Sequence, residues 1–251
     1  MTTHRSRVST TSKSRRNADR WFYVIVTMFV ILVNVVAFSP SLLNPSARTV
    51  PLPLTSLDLA HSLVSVTWLL VFLALVTLVA AGRVTVHRQL GVLGVLLSAA
   101  FIVVTWLALV EGAQRGFDLS GDLVPHGTST DPGTFLAPSG SLIPFAAFVA
   151  AAVWYRKRPV LHKRLMMLAL LTSTGAPIAH VVGHWPAFAP FALAGGTLLF
   201  FLPAIRDRVC ERRMHPVSLW GAIFSLLWTS VFIGVFARTV VWRNFAEWVV
   251  G

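Results

Sequence analysis

Seven apolar stretches divide the chain, at 21–38, 57–81, 91–111, 140–155, 165–183, 187–205 and 216–237. The hydrocarbon core of a bilayer takes about 20 residues of helix. Most of the runs reach that length, and the fourth, which starts within "FLAPSGSLIP", is the shortest. None alternates with the period of two that marks a half-buried strand, and none confines its apolar residues to one narrow helical stripe. Helices that are apolar all round belong where every face meets lipid or another helix. The pattern predicts an all-α, seven-helix transmembrane bundle. The first run follows 20 polar residues and lacks a small-x-small cleavage site beside it, so it reads as a helix rather than a removable leader.

Polar segments complete the layout. Residues 1–20, rich in Ser, Thr and Arg without apolar periodicity, predict a basic tail that is disordered or lies on anionic headgroups. Residues 21–237 form the membrane domain. The segment 112–139, with its Gly, Pro, Asp and Ser, reads as a long loop, either disordered or a lid. In 238–251 one helical face carries Val241, Phe245, Trp248 and Val249, and another carries Arg243, Asn244 and Glu247. That predicts a short amphipathic helix in the interface.

Composition supports the membrane assignment. Only 12% of residues are charged, half the share of about 25% usual in soluble domains. The net charge of +12 is distributed by topology. Six Lys/Arg lie in the tail, two at 83–88, five at 156–164 and four at 206–213, all on one side of the seven-helix arrangement; only Arg48, Arg115, Arg238 and Arg243 fall on the other. By the positive-inside rule the N-terminus is cytoplasmic and the C-terminus outside. Nucleic acid is not a partner this distribution suggests. Arg outnumbers Lys and Ala and Val abound, which points to a bacterium and hence to its plasma membrane. Partners are the bilayer, anionic lipid headgroups, and a second copy or a respiratory-complex subunit. Cys210 is alone, so there is no disulfide framework.

Several activities are excluded. No lysine lies within an apolar run, which rules out a retinal Schiff base, and no carboxylate lies near the bilayer centre as proton-driven transport would require. Asp58 and Glu111 sit at the outer ends of helices 2 and 3. Phosphate-binding loops, nucleophile elbows and dinucleotide fingerprints are missing. What remains is histidine.

Three basic loops carry one histidine each, in "RVTVHRQLG", "RPVLHKRLM" and "RRMHPVSLWG": His87, His162 and His215 mark the cytoplasmic starts of helices 3, 5 and 7. His61, His180 and His184 lie toward the outer ends of helices 2 and 5, while His4 and His126 lie outside the helices. His162 and His180 are 18 residues apart, about five turns of one continuous helix. Two cofactor readings follow. In the first, His61 with His180, and equivalently His87 with His162, ligate haem b, with Arg83, Arg88, Lys163 and Arg164 meeting propionates or lipid headgroups. In the second, His61, His180 and His184 form a three-histidine zinc or iron site with an open position, the arrangement of a metal-dependent hydrolase facing outward. Beside both stands the plain reading of a permease or interaction module whose histidines make helix-end contacts and interhelical hydrogen bonds. "LTSTGAP" (171–177) and Gly195–Gly196 read as close-packing sites, with room for a cavity between helices 5 and 6 and with Pro177 able to kink helix 5.

The segments "GRVTVHRQLGVLG", "RPVLHKRLMMLALL", "RMHPVSLWG" and "TVVWRNFAEWV" together resemble a group of uncharacterised bacterial multi-pass membrane proteins. In that group a His-Arg-x-x-Gly loop is followed by a His-x-x-x-Met loop, and the likeness spans about residues 60 to 250. The resemblance implies matching histidines at His61, His87, His162 and His215. Similar families are linked to haem or copper handling in respiratory assembly. The group more often carries an arginine near the position of His180.

Overall fold

The structure, a computed structural model, describes residues 3–43, 54–119 and 131–251, with backbone alone for 3–20, 41 and 42. It contains helices α1 (Thr3–Leu43), α2 (Ser56–Ala80), α3 (Val84–Gln114), α4 (Pro132–Leu136), α5 (Leu142–Trp154), α6 (Pro159–Thr172), α7 (Gly175–His184), α8 (Ala189–Glu211), α9 (Pro216–Gly234) and α10 (Val240–Val250). Among the described residues there are no strands, and seven spans are long and apolar enough to cross a membrane. The chain thus has the architecture of a multi-pass membrane protein.

Two spans are composite. The fourth, Pro132–Trp154, joins α4 through a 3₁₀ turn (Ala137–Ser141) to α5. The fifth, Pro159–His184, breaks between α6 and α7 at Ser173 and Thr174. Pro177 has no N–H to give the carbonyl four residues earlier. The hydroxyls of Thr172, Ser173 and Thr174 donate to the carbonyls of Ala169, Leu170 and Leu171 at 2.7 Å each. Those bonds satisfy carbonyls near the interruption, which hydrocarbon would otherwise penalise. The break also ends the helical phase, so the expected single stripe from His162 to His180 does not exist.

Boundaries differ from the apolar runs in a consistent way. Helix α3 starts at Val84 rather than 91, α6 at Pro159 rather than 165, and α8 continues to Glu211 rather than 205. Helices carry on through their charged turns because long side chains reach polar surroundings or pair with one another. At the N-terminus α1 extends from Thr3, so the polar stretch is helical where its sequence predicts disorder. A helix already nucleated by an apolar span propagates into residues of fair propensity at little cost. In the long loop, α3 runs to Gln114 and α4 occupies 132–136, while 120–130, including His126, lie outside the described residues.

The fifth span is the most enclosed, 56% buried against 22% for the second and seventh, and so forms the centre of the bundle. Met167, Leu168, Ala169, Leu170 and Leu171 are inaccessible, and Leu168 fits against Gly221, which has no side chain to obstruct it. Beside this core Trp68 packs on Phe101 and Phe145 and donates its indole N–H to Ser98 Oγ at 2.8 Å. Residues such as Ile25, Leu63, Leu96 and Leu227 point outward, as hydrocarbon solvent allows.

One end of the bundle carries the turns that begin α3, α6 and α9 and the entry to the first span; this is the basic end. A second apolar cluster closes the far end. There Trp242 of α10 is buried among Leu109, Phe135 and Phe232 and donates to Gly133 O at 2.9 Å, while Trp228 donates to Gly140 O at 2.8 Å. The amphipathic C-terminal helix exists, but its packed face is Trp242 and Ala246. Val241 and Trp248 remain exposed on its other side.

Candidate functional site at the basic end

Two of the three histidine loops fold alike. His87 and His162 are each the fourth residue of their helix, following a turn of three or four residues after the preceding one. Each reaches back to the helix just left: His87 Nδ1 lies 3.1 Å from Leu75 O of α2, and His162 Nδ1 lies 2.9 Å from Ala152 O of α5. A carbonyl only accepts, so both Nδ1 atoms carry a proton. In the neutral imidazole that leaves Nε2 with its lone pair, the tautomer a metal ligand requires. The two rings meet edge-on, with centroids 6.4 Å apart and planes at 83°. The structure therefore brings together His87 and His162.

His215 differs. It is the N-cap of α9, and its Nδ1 accepts the Val217 N–H at 3.2 Å, which fixes the opposite tautomer. Burial first, then the positive charge of Arg164, lowers its pKa below the ordinary histidine value, with Asp207 and Glu211 opposing.

The cations divide into two groups. Arg83 and Arg88 are exposed beside His87, and Lys163 places Nζ 5.5 Å from the Tyr23 ring. Arg164, expected to meet a propionate or a headgroup, is turned inward and 1% exposed. Its Nε and Nη2 donate to Asp207 at 2.9 and 2.7 Å, and Nη2 also reaches Glu211 at 3.0 Å. Asp207, itself 1% exposed, further accepts from Ser218 Oγ at 2.7 Å and Arg206 Nη1 at 3.0 Å. The bonds tie α6, α8 and α9 together at their basic ends. Sequence reasoning missed this network by ending helix 6 at residue 205, which left Asp207 and Glu211 in a loop. The available signal was their i, i+4 spacing beside Arg206, which places both carboxylates on one face of a continued helix.

The far-end histidines lie in different helix pairs. His61 sits on α2, its Nδ1 3.1 Å from Thr105 Oγ1 of α3 and its ring 6.0 Å from Phe101. His180, 2% exposed, packs on Phe38 of α1 at 4.4 Å and on His184 at 5.8 Å. Among the described residues no group of three or more His, Cys, Asp or Glu is placed to hold a metal ion. The set His61, His180 and His184 is accordingly not gathered: His180 and His184 meet on α7, while His61 on α2 is bonded to Thr105 of α3. Asp58 and Glu111 are occupied nearby, Asp58 with Arg115 at 3.5 Å and Glu111 with Thr55 Oγ1 at 2.8 Å.

Chemically, the basic end offers two neighbouring imidazoles of like tautomer and exposed arginines beside them. The chain matches no protein-family model, no curated protein and no solved structure.

Proposed function

We propose that this membrane protein holds a haem b between His87 and His162 and serves a redox or respiratory-assembly role in a bacterial plasma membrane, its basic end facing the cytoplasm. The observation that carries the reading is the matched histidine pair. The rings of His87 and His162, 6.4 Å apart, are the two that would hold the group. The backbone carbonyls of Leu75 and Ala152 orient the two rings and raise their basicity, the usual outer-shell device for a ligating histidine. Arg83, Arg88 and Lys163 supply cations for propionates, and Arg164 does not. When bound, haem would supply one-electron transfer. A single zinc or iron ion is the smaller alternative for the same pair. His61 and His180 take structural roles in this reading.

A second reading, a permease or interaction module without a cofactor, is favoured by one fact. His87, His162 and His215 each already make a hydrogen bond to backbone at the basic end. Absorption spectra of the detergent-purified protein, oxidised and dithionite-reduced, decide between them. A Soret band with sharp reduced α and β bands, lost in His87→Ala and in His162→Ala but kept in His61→Ala, is expected. A flat spectrum after expression with ample haem refutes the haem reading and leaves the structural one.

A further inference from the structure

Helix α9 begins on a titratable cap. Thr55, Asp131 and Thr239 cap α2, α4 and α10 through a hydroxyl or a carboxylate, which keep an acceptor at any pH near neutrality. His215 caps α9 through its ring, Nδ1 accepting the Val217 N–H at 3.2 Å. An imidazole accepts only through an unprotonated nitrogen, so this cap lasts only while the ring is neutral. Protonation sets a second N–H against that of Val217 and puts a cation at the positive end of the helix dipole. The ring is half-buried, so protons reach it.

The surroundings offer the protonated ring another partner. The charged groups that act on His215 are Lys163 and Arg164 of α6 and Asp207 and Glu211 of α8. Asp207 is sealed: it is 1% exposed and already accepts four hydrogen bonds. Glu211 stands four residues back along the chain and is 43% exposed. Directly after Val217 comes Ser218, fully buried, whose hydroxyl ties α9 to Asp207 of α8 at 2.7 Å. Loosening the first turn of α9 therefore acts on the bond that joins the two helices. We propose that His215 is an acid-sensitive latch: neutral, it closes the first turn of α9; protonated, it leaves Val217, turns to Glu211 and frees that turn from α8. The depressed pKa keeps the latch closed at neutral pH and opens it on acidification below about pH 6.5. It needs no cofactor at His87 and His162.

Hydrogen–deuterium exchange of the full chain in mild detergent, over a pH series spanning the ordinary histidine range and normalised to intrinsic exchange rates, tests it. Protection of the amides of Val217, Ser218 and Leu219 should fall about fivefold on acidification, the worth of a typical cap. Protection in α10, capped by Thr239, should not change. His215→Asn caps without titrating and should keep its protection throughout; His215→Ser is the second such variant. Glu211→Gln removes the partner of the protonated ring and should move the fall to lower pH. Constant protection in the wild type overturns the latch. An equal fall in His215→Asn overturns it as well, because the effect then belongs to the carboxylates of Asp207 and Glu211. An unshifted midpoint in Glu211→Gln overturns the exchange of partners.

Discussion

Replacing Asp207 by asparagine probes a polar group that joins three helices. Its carboxylate accepts from Arg164 Nε, Arg164 Nη2, Arg206 Nη1 and Ser218 Oγ, at 2.9, 2.7, 3.0 and 2.7 Å. Asparagine keeps the shape but turns one acceptor into a donor facing donors, and it removes the charge. Arg164, 1% exposed, is then left with Val160 O, Glu211 and one uncharged amide oxygen. Glu211 is 43% exposed and is shared with Arg206, so its compensation is partial. Breaking a buried ion pair by removing one partner costs about 3–5 kcal/mol. Allowing for Glu211, the expected loss is about 3 kcal/mol, a fall of roughly two decades in the folded-to-unfolded ratio.

The assay is reversible unfolding in mixed detergent micelles followed by tryptophan fluorescence. A second variant separates the cost of an orphaned charge from the worth of the pair. Arg164→Met with Asp207→Leu removes both charges and leaves Arg206 and Glu211 bonded to each other at 2.7 Å. Apolar replacement of a buried pair is often neutral or stabilising, so the double variant should recover most of what Asp207→Asn loses. If Asp207→Asn unfolds within about 0.5 kcal/mol of wild type, the range of ordinary surface changes, the network is not a clamp. If the double variant is less stable than either single change, the reasoning from charge burial is wrong.

Three further outcomes are expected. The His215 pKa is depressed in the folded chain, so the unfolded chain takes up the proton more readily. Stability from this group is therefore complete above about pH 6.5 and declines as pH falls toward the lower folded value. His215→Asn retains a capping side chain and should flatten that part of the pH profile of unfolding. Gly140→Ala drives a Cβ into the Phe232 ring and should cost about 1–3 kcal/mol as overpacking; Phe232→Leu in the same chain should restore most of it in the same unfolding assay. Trp242→Phe loses the hydrogen bond to Gly133 O, worth about 1 kcal/mol, and should raise amide exchange in α10 while leaving α6 protected.

The readable and unreadable parts of this chain follow from what a bilayer tests. Hydrocarbon imposes its demand on every residue of a span, so the seven helices were visible in the apolar runs, and the hinge at Pro177 in its neighbours Thr172, Ser173 and Thr174. The like placement of His87 and His162 was visible too, because each stands just past a short basic turn; that their two hairpins lie side by side was not, since short turns set only the neighbours within a hairpin. What apolar runs could not reveal is where a helix stops once it leaves the hydrocarbon. Counting apolar residues ends α8 at Ile205, yet the helix needs only internal hydrogen bonds to continue. Its next turn holds the carboxylates that neutralise Arg164. The same limit assigned Arg164 to the membrane surface: a run of cations reads as one solvated face, although an α-helix turns Arg164 about 100° away from Lys163. Only the neighbour that each face meets decides which cation is fully buried. Lys163 meets an aromatic ring at the rim and Arg164 meets Asp207 inside. Adjacent residues of like charge at a membrane edge thus do different work, one packing on an aromatic ring and one holding three helices together.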